Sequence, residues 1–291
     1  MIFLSIFFAC TRQPQLVARH SYPPIYKTHP PRTASISAPQ IMPSAINTAL
    51  AQNKIFSFSL PEHKSKKSKL SLWATYYYTP IFPYTPKEKH SIMNLKGKAF
   101  GPRLSAKDWC NAALQGSFSI SYPEGKIETF NYAGLSKKMQ VNCRPFHKYT
   151  KSGRIRFQRA RGPYGDGATG KYSLIPLRSI AVDPQKIPYG TVIYIPKARG
   201  LKIQLSDHHH IVHDGYFFAN DTGGAIKKNH IDVYSGNYIH KELRTFVRSS
   251  SSETFSAYIV HDPKIQEMMK QAHLDIVHQG HVFTEEALSQ N

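Results

Sequence analysis

Between residues 179 and 260 the chain is a succession of short β-prone runs, each stopped within a few residues by proline, glycine or Asp-Pro. Ser179-Ile180-Ala181-Val182 ends at Asp183-Pro184. A turn through Pro188-Tyr189-Gly190 then leads into Thr191-Val192-Ile193-Tyr194-Ile195, which Pro196 stops. Ile211 to Asn220 predicts a strand broken at Asp214-Gly215, His230 to Tyr234 a short one, and Phe255 to Val260 another. Upstream, the aromatic run Leu72-Trp73-Ala74-Thr75-Tyr76-Tyr77-Tyr78 is also β-prone. Short strands with regular turn signals predict a small barrel. Residues 104–116 predict a short helix capped by Ser105 and closed by Gly116. Helical spacing of apolar residues returns from Tyr238 to Val247.

The first part of the chain has a different character. Residues 11–68 are rich in proline among Ser, Thr, Gln and basic residues, and close on the basic run His63-Lys64-Ser65-Lys66-Lys67-Ser68-Lys69. Such a stretch buries too little apolar surface to offset its ordering entropy, so it is expected to be a disordered tether. Before it, Ile2 to Ala9 is apolar, too short to span a bilayer and about the length of a signal-peptide h-region. It ends at Ala9-Cys10 and resembles the bacterial lipoprotein signal, which implies a lipid on Cys10 and a place on the periplasmic side of the outer membrane. Cys110 and Cys143 then remain, 33 residues apart. They form either a disulfide, favoured in an oxidising compartment, or two buried thiols. Lys and Arg number 38 against 18 Asp and Glu, a formal net charge of +20. That excess calls for an anionic partner such as nucleic acid, acidic headgroups or the carboxylate-bearing bacterial wall. Dispersed charges and the absence of a reading motif argue against nucleic acid.

The densest chemical signal is Asp221-Thr222-Gly223-Gly224-Ala225-Ile226-Lys227-Lys228-Asn229-His230-Ile231-Asp232-Val233-Tyr234. Gly223-Gly224 permits a tight reversal that would set Asp221 and Asp232 on neighbouring strands. Two carboxyls brought together cannot both ionise cheaply, so one acquires a raised pKa, as a general acid near neutral pH requires. A structural turn capped by Asp would show the same glycines.

This run, continued to Ser235-Gly236, closely resembles the signature of the 3D (Asp-Asp-Asp) domain, found in lytic murein transglycosylases and related wall-turnover proteins. Ile180-Ala181-Val182-Asp183-Pro184 with Ile187-Pro188-Tyr189-Gly190-Thr191 resembles the family's second motif and supplies the third aspartate. The resemblance implies a mainly β fold: a six-stranded double-psi β-barrel with short helices, preceded by the disordered N-terminal tether. Residues 1–10 would be signal and lipobox, 11–68 linker, 69–178 the first part of the barrel plus an insertion, 179–262 the barrel core, and 263–291 a C-terminal helix and tail. It further implies cleavage of the MurNAc–GlcNAc bond in peptidoglycan glycan strands by Asp232, supported by Asp221 and Asp183, without a cofactor. Thr222, Gly223, Gly224, Lys227, Tyr234 and Tyr77 are the expected substrate contacts, with core packing or solvation the alternative for the side chains. The rival reading is a non-catalytic glycan-binding barrel of the expansin kind. The insertion Ser206-Asp207-His208-His209-His210-Ile211-Val212-His213-Asp214 could hold a metal, but an exposed loop is preferred, because consecutive strand residues alternate faces.

Overall fold

The computed structural model describes residues 57–61, 68–149, 151–205, 210–248 and 250–286, with side chains in the last helix described to Leu274. Cys10, residues 1–56 and 62–67 of the leader and tether, and His208-His209 lie outside the described residues.

Strand β1 (Lys69–Tyr77) opens the barrel. The chain then leaves it for β2 (Ile81–Pro83), β3 (His90–Met93), β4 (Ala99–Leu104), helix α1 (Ala106–Gln115), β5 (Ser117–Ser121), β6 (Ile127–Leu135) and β7 (Ile155–Arg159). It returns with β8 (Ser179–Ala181), β9 (Val192–Tyr194), the hairpin β10 (Lys202–Gln204) and β11 (His210–Val212), then β12 (Tyr216–Asp221), β13 (His230–Tyr234) and β14 (Phe255–Ile259); helix α2 (Pro263–Glu286) follows. Six strands close into the expected barrel in the order β1-β13-β8-β12-β9-β14. Within it β1/β13 and β8/β12 run parallel and the other pairs antiparallel. Alternation fills its interior with Leu72, Ala74, Ile180, Ile193, Phe217, Ala219, Ile231 and Val233, and the neighbouring residues of each strand face outward.

The excursion between β1 and β8 has its own core of Trp109, Phe118, Phe130 and Phe157 beneath a sheet ordered β2-β5-β6-β7. Helix α1 begins and ends where its caps predict. Ser105 Oγ accepts from the Asp108 N–H at 3.1 Å, and Gly116, at φ 84°, donates its N–H to Ala112. Cys110 and Cys143 are joined in a disulfide with Cα atoms 5.4 Å apart, tying α1 to the segment after β6.

Between β9 and β12 the chain makes a second excursion, and its return is locked at Asp214. Arg178 reaches that carboxylate with both guanidinium nitrogens, at 2.6 and 2.7 Å, and also donates to the Tyr216 carbonyl. Both ends of the pair are buried, so removing one partner would cost about 3–5 kcal/mol. His213 is committed to the same lock: it takes the Gly215 N–H at Nδ1 (2.9 Å) and faces the Leu177 carbonyl with Nε2 (2.8 Å). Burial lowers its pKa to about 3. Among the described residues no group of three or more His, Cys, Asp or Glu is placed to hold a metal ion.

Two local expectations change. Residues 57–61, placed in the tether by composition, dock on the barrel: the Phe58 N–H donates to Asp214 at 3.1 Å, Arg199 donates to the Phe58 carbonyl at 3.2 Å, and the Phe58 ring meets Tyr216 edge-on. The Ser59 carbonyl also accepts from the Tyr216 hydroxyl at 2.8 Å. The helical spacing from Tyr238 to Val247 yields only a 3-10 turn over Lys241–Thr245, because Leu243, Phe246 and Val247 are drawn into the barrel cluster. No helix among the described residues is long and apolar enough to cross a membrane.

Candidate active site

The acid pair is built by strand register. In β13 His230, Asp232 and Tyr234 alternate with the inward Ile231 and Val233, and β1 runs parallel beside it with Trp73 opposite His230, Thr75 opposite Asp232 and Tyr77 opposite Tyr234. On the other side, Asp232 pairs with Ala181 of β8. Asp221 pairs with that same Ala181 across β8's opposite edge. Strand parity alone would not put it there: Phe217 and Ala219 of β12 face the core, and Asp221 shares their parity. A bulge between Ala219 and Asp221 skips Asn220 and re-aims the carboxylate. The skipped Asn220 is anchored instead, donating from its amide to the Ser173 carbonyl at 2.9 Å and accepting from the Ala168 N–H at 2.9 Å. Asp232, Ala181 and Asp221 thus form one row across three strands.

Each carboxyl has a designated donor. Thr75 Oγ1 donates to Asp232 Oδ1 at 2.7 Å and lies 2.8 Å from His230 Nε2. The Tyr77 hydroxyl donates to Asp221 Oδ2 at 2.6 Å. Burial raises the Asp232 pKa to about 7; the Thr75 hydrogen bond opposes the rise and the nearby Asp221 charge adds to it. Burial likewise raises Asp221 to about 6, against hydrogen bonds from Tyr77 and the Thr222 N–H. The pair therefore titrates near neutrality, with Asp232 the last to give up its proton.

His230 completes the support. Trp73 stacks on its ring at 3.6 Å and 6°, its Nδ1 faces the Ala225 carbonyl at 3.3 Å, and burial lowers its pKa to about 4. A neutral imidazole has one N–H, so Thr75 serves both states of the acid. With Asp232 ionised, Thr75 donates to it and His230 Nε2–H donates to Thr75. With Asp232 protonated, the carboxyl donates to Thr75, which donates to Nε2, and Nδ1–H turns to Ala225.

Residues 178–242 match the family model of the 3D domain.

Both carboxyls of the pair and Asp183 lie within that matched span; β1, which brings Thr75 and Tyr77, lies outside it. Among solved structures, the chain is similar to E. coli MltA with bound chitohexaose, at 16% identity and a TM-score of 0.42, covering 65% of this chain and 71% of that one. It is similar to membrane-bound lytic murein transglycosylase from Agrobacterium tumefaciens at 16% identity and a TM-score of 0.41, covering 71% and 77%. For MltA from Neisseria gonorrhoeae the figures are 13% and 0.39, covering 66% and 72%. No curated protein matches the chain.

The third predicted aspartate, Asp183, is held by backbone hydrogen bonds of its own. Asp183 accepts backbone N–H groups from Lys228 (2.8 Å) and Gln185 (3.1 Å). These hydrogen bonds, the Lys228 one foremost, hold its pKa below the usual carboxylate value. It pins the loop between β12 and β13 and takes no proton near neutrality. That loop also corrects the Gly-Gly expectation: neither Gly223 nor Gly224 adopts a left-handed backbone, and the residue that does is Lys228, at φ 58°. Gly223 is needed for closeness, since a Cβ there would lie 2.8 Å from Ile226 Cγ1.

Of the remaining predicted contacts, Thr222, Gly224 and Lys227 are exposed on this loop, and Thr222 is tied through its hydroxyl to the Val182 carbonyl at 3.1 Å. Tyr234 is fully buried, its hydroxyl 2.7 Å from Thr79 Oγ1 and donating to the Tyr164 carbonyl at 3.1 Å. It packs against Tyr77, whose own hydroxyl goes to the Asp221 carboxylate. Thr75, His230 and Trp73 were not singled out as site residues from the sequence. Their signal was the shared parity of 73, 75, 77 with 230, 232, 234, legible only with the parallel register in hand.

Proposed function

We propose that the chain is a peptidoglycan lytic transglycosylase in which Asp232 is the acid and then the base. The observation that carries this reading is the Asp232–Ala181–Asp221 row, with a carboxyl still protonated near pH 7 beside one that ionises first. Protonated Asp232 donates to the oxygen leaving between MurNAc and GlcNAc. As the C1–O bond breaks, positive charge develops at the anomeric carbon, and ionised Asp221, held by Tyr77, faces it. Asp232, now a carboxylate, takes the proton of the muramyl 6-hydroxyl while that oxygen closes on C1. The product is the 1,6-anhydro sugar, and no water is consumed. Thr75 receives and returns the hydrogen bond through both halves. The exposed loop carrying Thr222, Gly224 and Lys227 offers donors and a cation to the glycan and its carboxylates.

The Cys110–Cys143 disulfide fits an exported protein. A lipid on Cys10 would hold the enzyme at the periplasmic face of the outer membrane; fatty-acid labelling lost in Cys10→Ser tests the anchor. The catalytic reading is tested by mass spectrometry of muropeptides released from purified peptidoglycan. Wild type should release 1,6-anhydro products, and Asp232→Asn should lose about 10²–10⁴-fold in rate while staying folded. Wild-type turnover in folded Asp232→Asn would place the acid elsewhere. A wild type that binds peptidoglycan and releases nothing would make this a glycan-binding barrel.

A further inference from the structure

The outer end of the four-stranded sheet carries a surface that the acid site does not use. From residue 129 to 165 the sequence holds nine Lys and Arg and no Asp or Glu. Within and beside this stretch, large aliphatic side chains stand in solvent: Leu95 is 58% exposed, Leu135 45% and Met139 56%. The fold gathers them. The tip of the β3–β4 hairpin lies over the end of β6, where Gly134 is so close to Leu95 that a Cβ would approach its Cδ2 to 2.8 Å. Directly after β6, Ser136 exchanges two hydrogen bonds with Arg154: its N–H donates to the Arg154 carbonyl at 2.8 Å, and Arg154 Nε donates to the Ser136 carbonyl at 2.6 Å. This holds Leu135 to Met139 against β7's approach, and Met139 packs beside Gly153. Lys96, Lys98, Lys137 and Lys138 are exposed around the three aliphatics. None of these four has an ion-pair partner among the described residues.

We propose that this face docks on an anionic phospholipid bilayer. Lysines can hold headgroup phosphates while their stems, with Leu95, Leu135 and Met139, enter the apolar boundary below. A soluble polyanion or the glycan wall would satisfy the cations and leave the aliphatics in water. A second copy of the chain would bring the same positive face against itself. The surface is separate from the acid pair, so its test does not depend on the catalytic reading.

The full chain carrying Cys10→Ser, so that no acyl group contributes, is titrated with vesicles of phosphatidylcholine alone and of phosphatidylcholine mixed with phosphatidylglycerol. Binding is read by co-sedimentation. The mixed vesicles should be bound, the neutral ones barely, and added salt should release the protein. K137A/K138A should weaken binding about 30-fold at low ionic strength. L135S/M139S should weaken it at least about tenfold with charge unchanged. K197A/K202A removes two exposed lysines elsewhere and should leave binding near wild type. Equal binding to both vesicle types overturns the proposal, as does equal loss in K197A/K202A. Unchanged vesicle binding by L135S/M139S would also overturn it, since the face would then be reading charge alone, as a soluble polyanion site does. Because the Cys10→Ser chain alone decides the first comparison, a further variant that fails to fold does not remove the test.

Discussion

Replacing Thr75 with valine keeps the side-chain shape on β1 and removes the only hydroxyl among the described residues that donates to Asp232. That bond is the one influence holding the Asp232 pKa down against burial and the Asp221 charge. A hydrogen bond to a charged group contributes about 1.5–3 kcal/mol, and one pKa unit corresponds to about 1.4 kcal/mol. Thr75→Val should therefore raise the acid by about 1–2 pH units. The sign follows from the chemistry: cleavage needs Asp232 protonated, so activity falls as pH rises through its pKa. The alkaline limb of anhydro-muropeptide release, near pH 7 in wild type, should move upward, and the acidic limb set by Asp221, near 6, should stay. Thr75→Ser should restore the wild-type profile, which a general loosening of β1 would not explain. The assay is the initial rate against pH, with melting temperature as a folding control; some loss of stability is expected because His230 Nε2 also loses its partner. An alkaline limb that stays put in folded Thr75→Val, or moves to lower pH, would refute the reasoning.

Asp232→Asn should also stabilise the protein at neutral pH. A carboxyl whose folded pKa is raised from 3.8 to about 7 contributes stability that is complete below the unfolded pKa and lost as pH rises through the folded one. The variant should gain up to about 4 kcal/mol at about pH 8 and little at about pH 3; equal changes in melting temperature at both pH values would contradict the burial account. Asp183→Ala should speed hydrogen exchange at the Lys228 and Gln185 amides and lower activity through the loop, with the alkaline limb unmoved; a shift of that limb would mean Asp183 acts on the acid directly. Replacing Cys110 and Cys143 with serine opens a 33-residue loop and should cost about 3–4 kcal/mol of stability in denaturant titration. An unchanged midpoint would show that the reduced chain is already held together by the Trp109 core.

What the sequence made legible was local. Ser105 and Gly116 bracket α1 because caps act within one turn, and Asp183-Pro184 and Pro196 end strands because proline has no N–H to continue the ladder. Asp221 and Asp232 were visible as a pair because one loop joins them. Thr75 and His230 were not, since their meeting with Asp232 depends on β1 lying parallel to β13 more than 150 residues later in the chain. No local rule fixes that register. The Gly-Gly reading erred for a related reason. The glycines were taken to serve backbone conformation, whereas Gly223 serves a contact with Ile226, and the left-handed position fell to Lys228. Phe58 shows the same limit from the other side: composition marks residues 57–61 as tether, while a partner on Tyr216 holds them.

The skipped residue at Asn220 sets a limit on how this barrel can be redesigned. A strand has two faces, and one more or one fewer residue exchanges them. Pairing Asn220 opposite Ala181 in place of the bulge would give β12 an unbroken ladder with β8, and by the usual measures of sheet regularity the barrel would be improved. That regular register would carry the Asp221 carboxyl to the face of Phe217 and Ala219, into the barrel interior, and away from Asp232. A selection for stability alone would drift toward the regular ladder, and a library screened only on melting temperature would enrich barrels that hold their shape and have lost one of the two groups that make the row reactive.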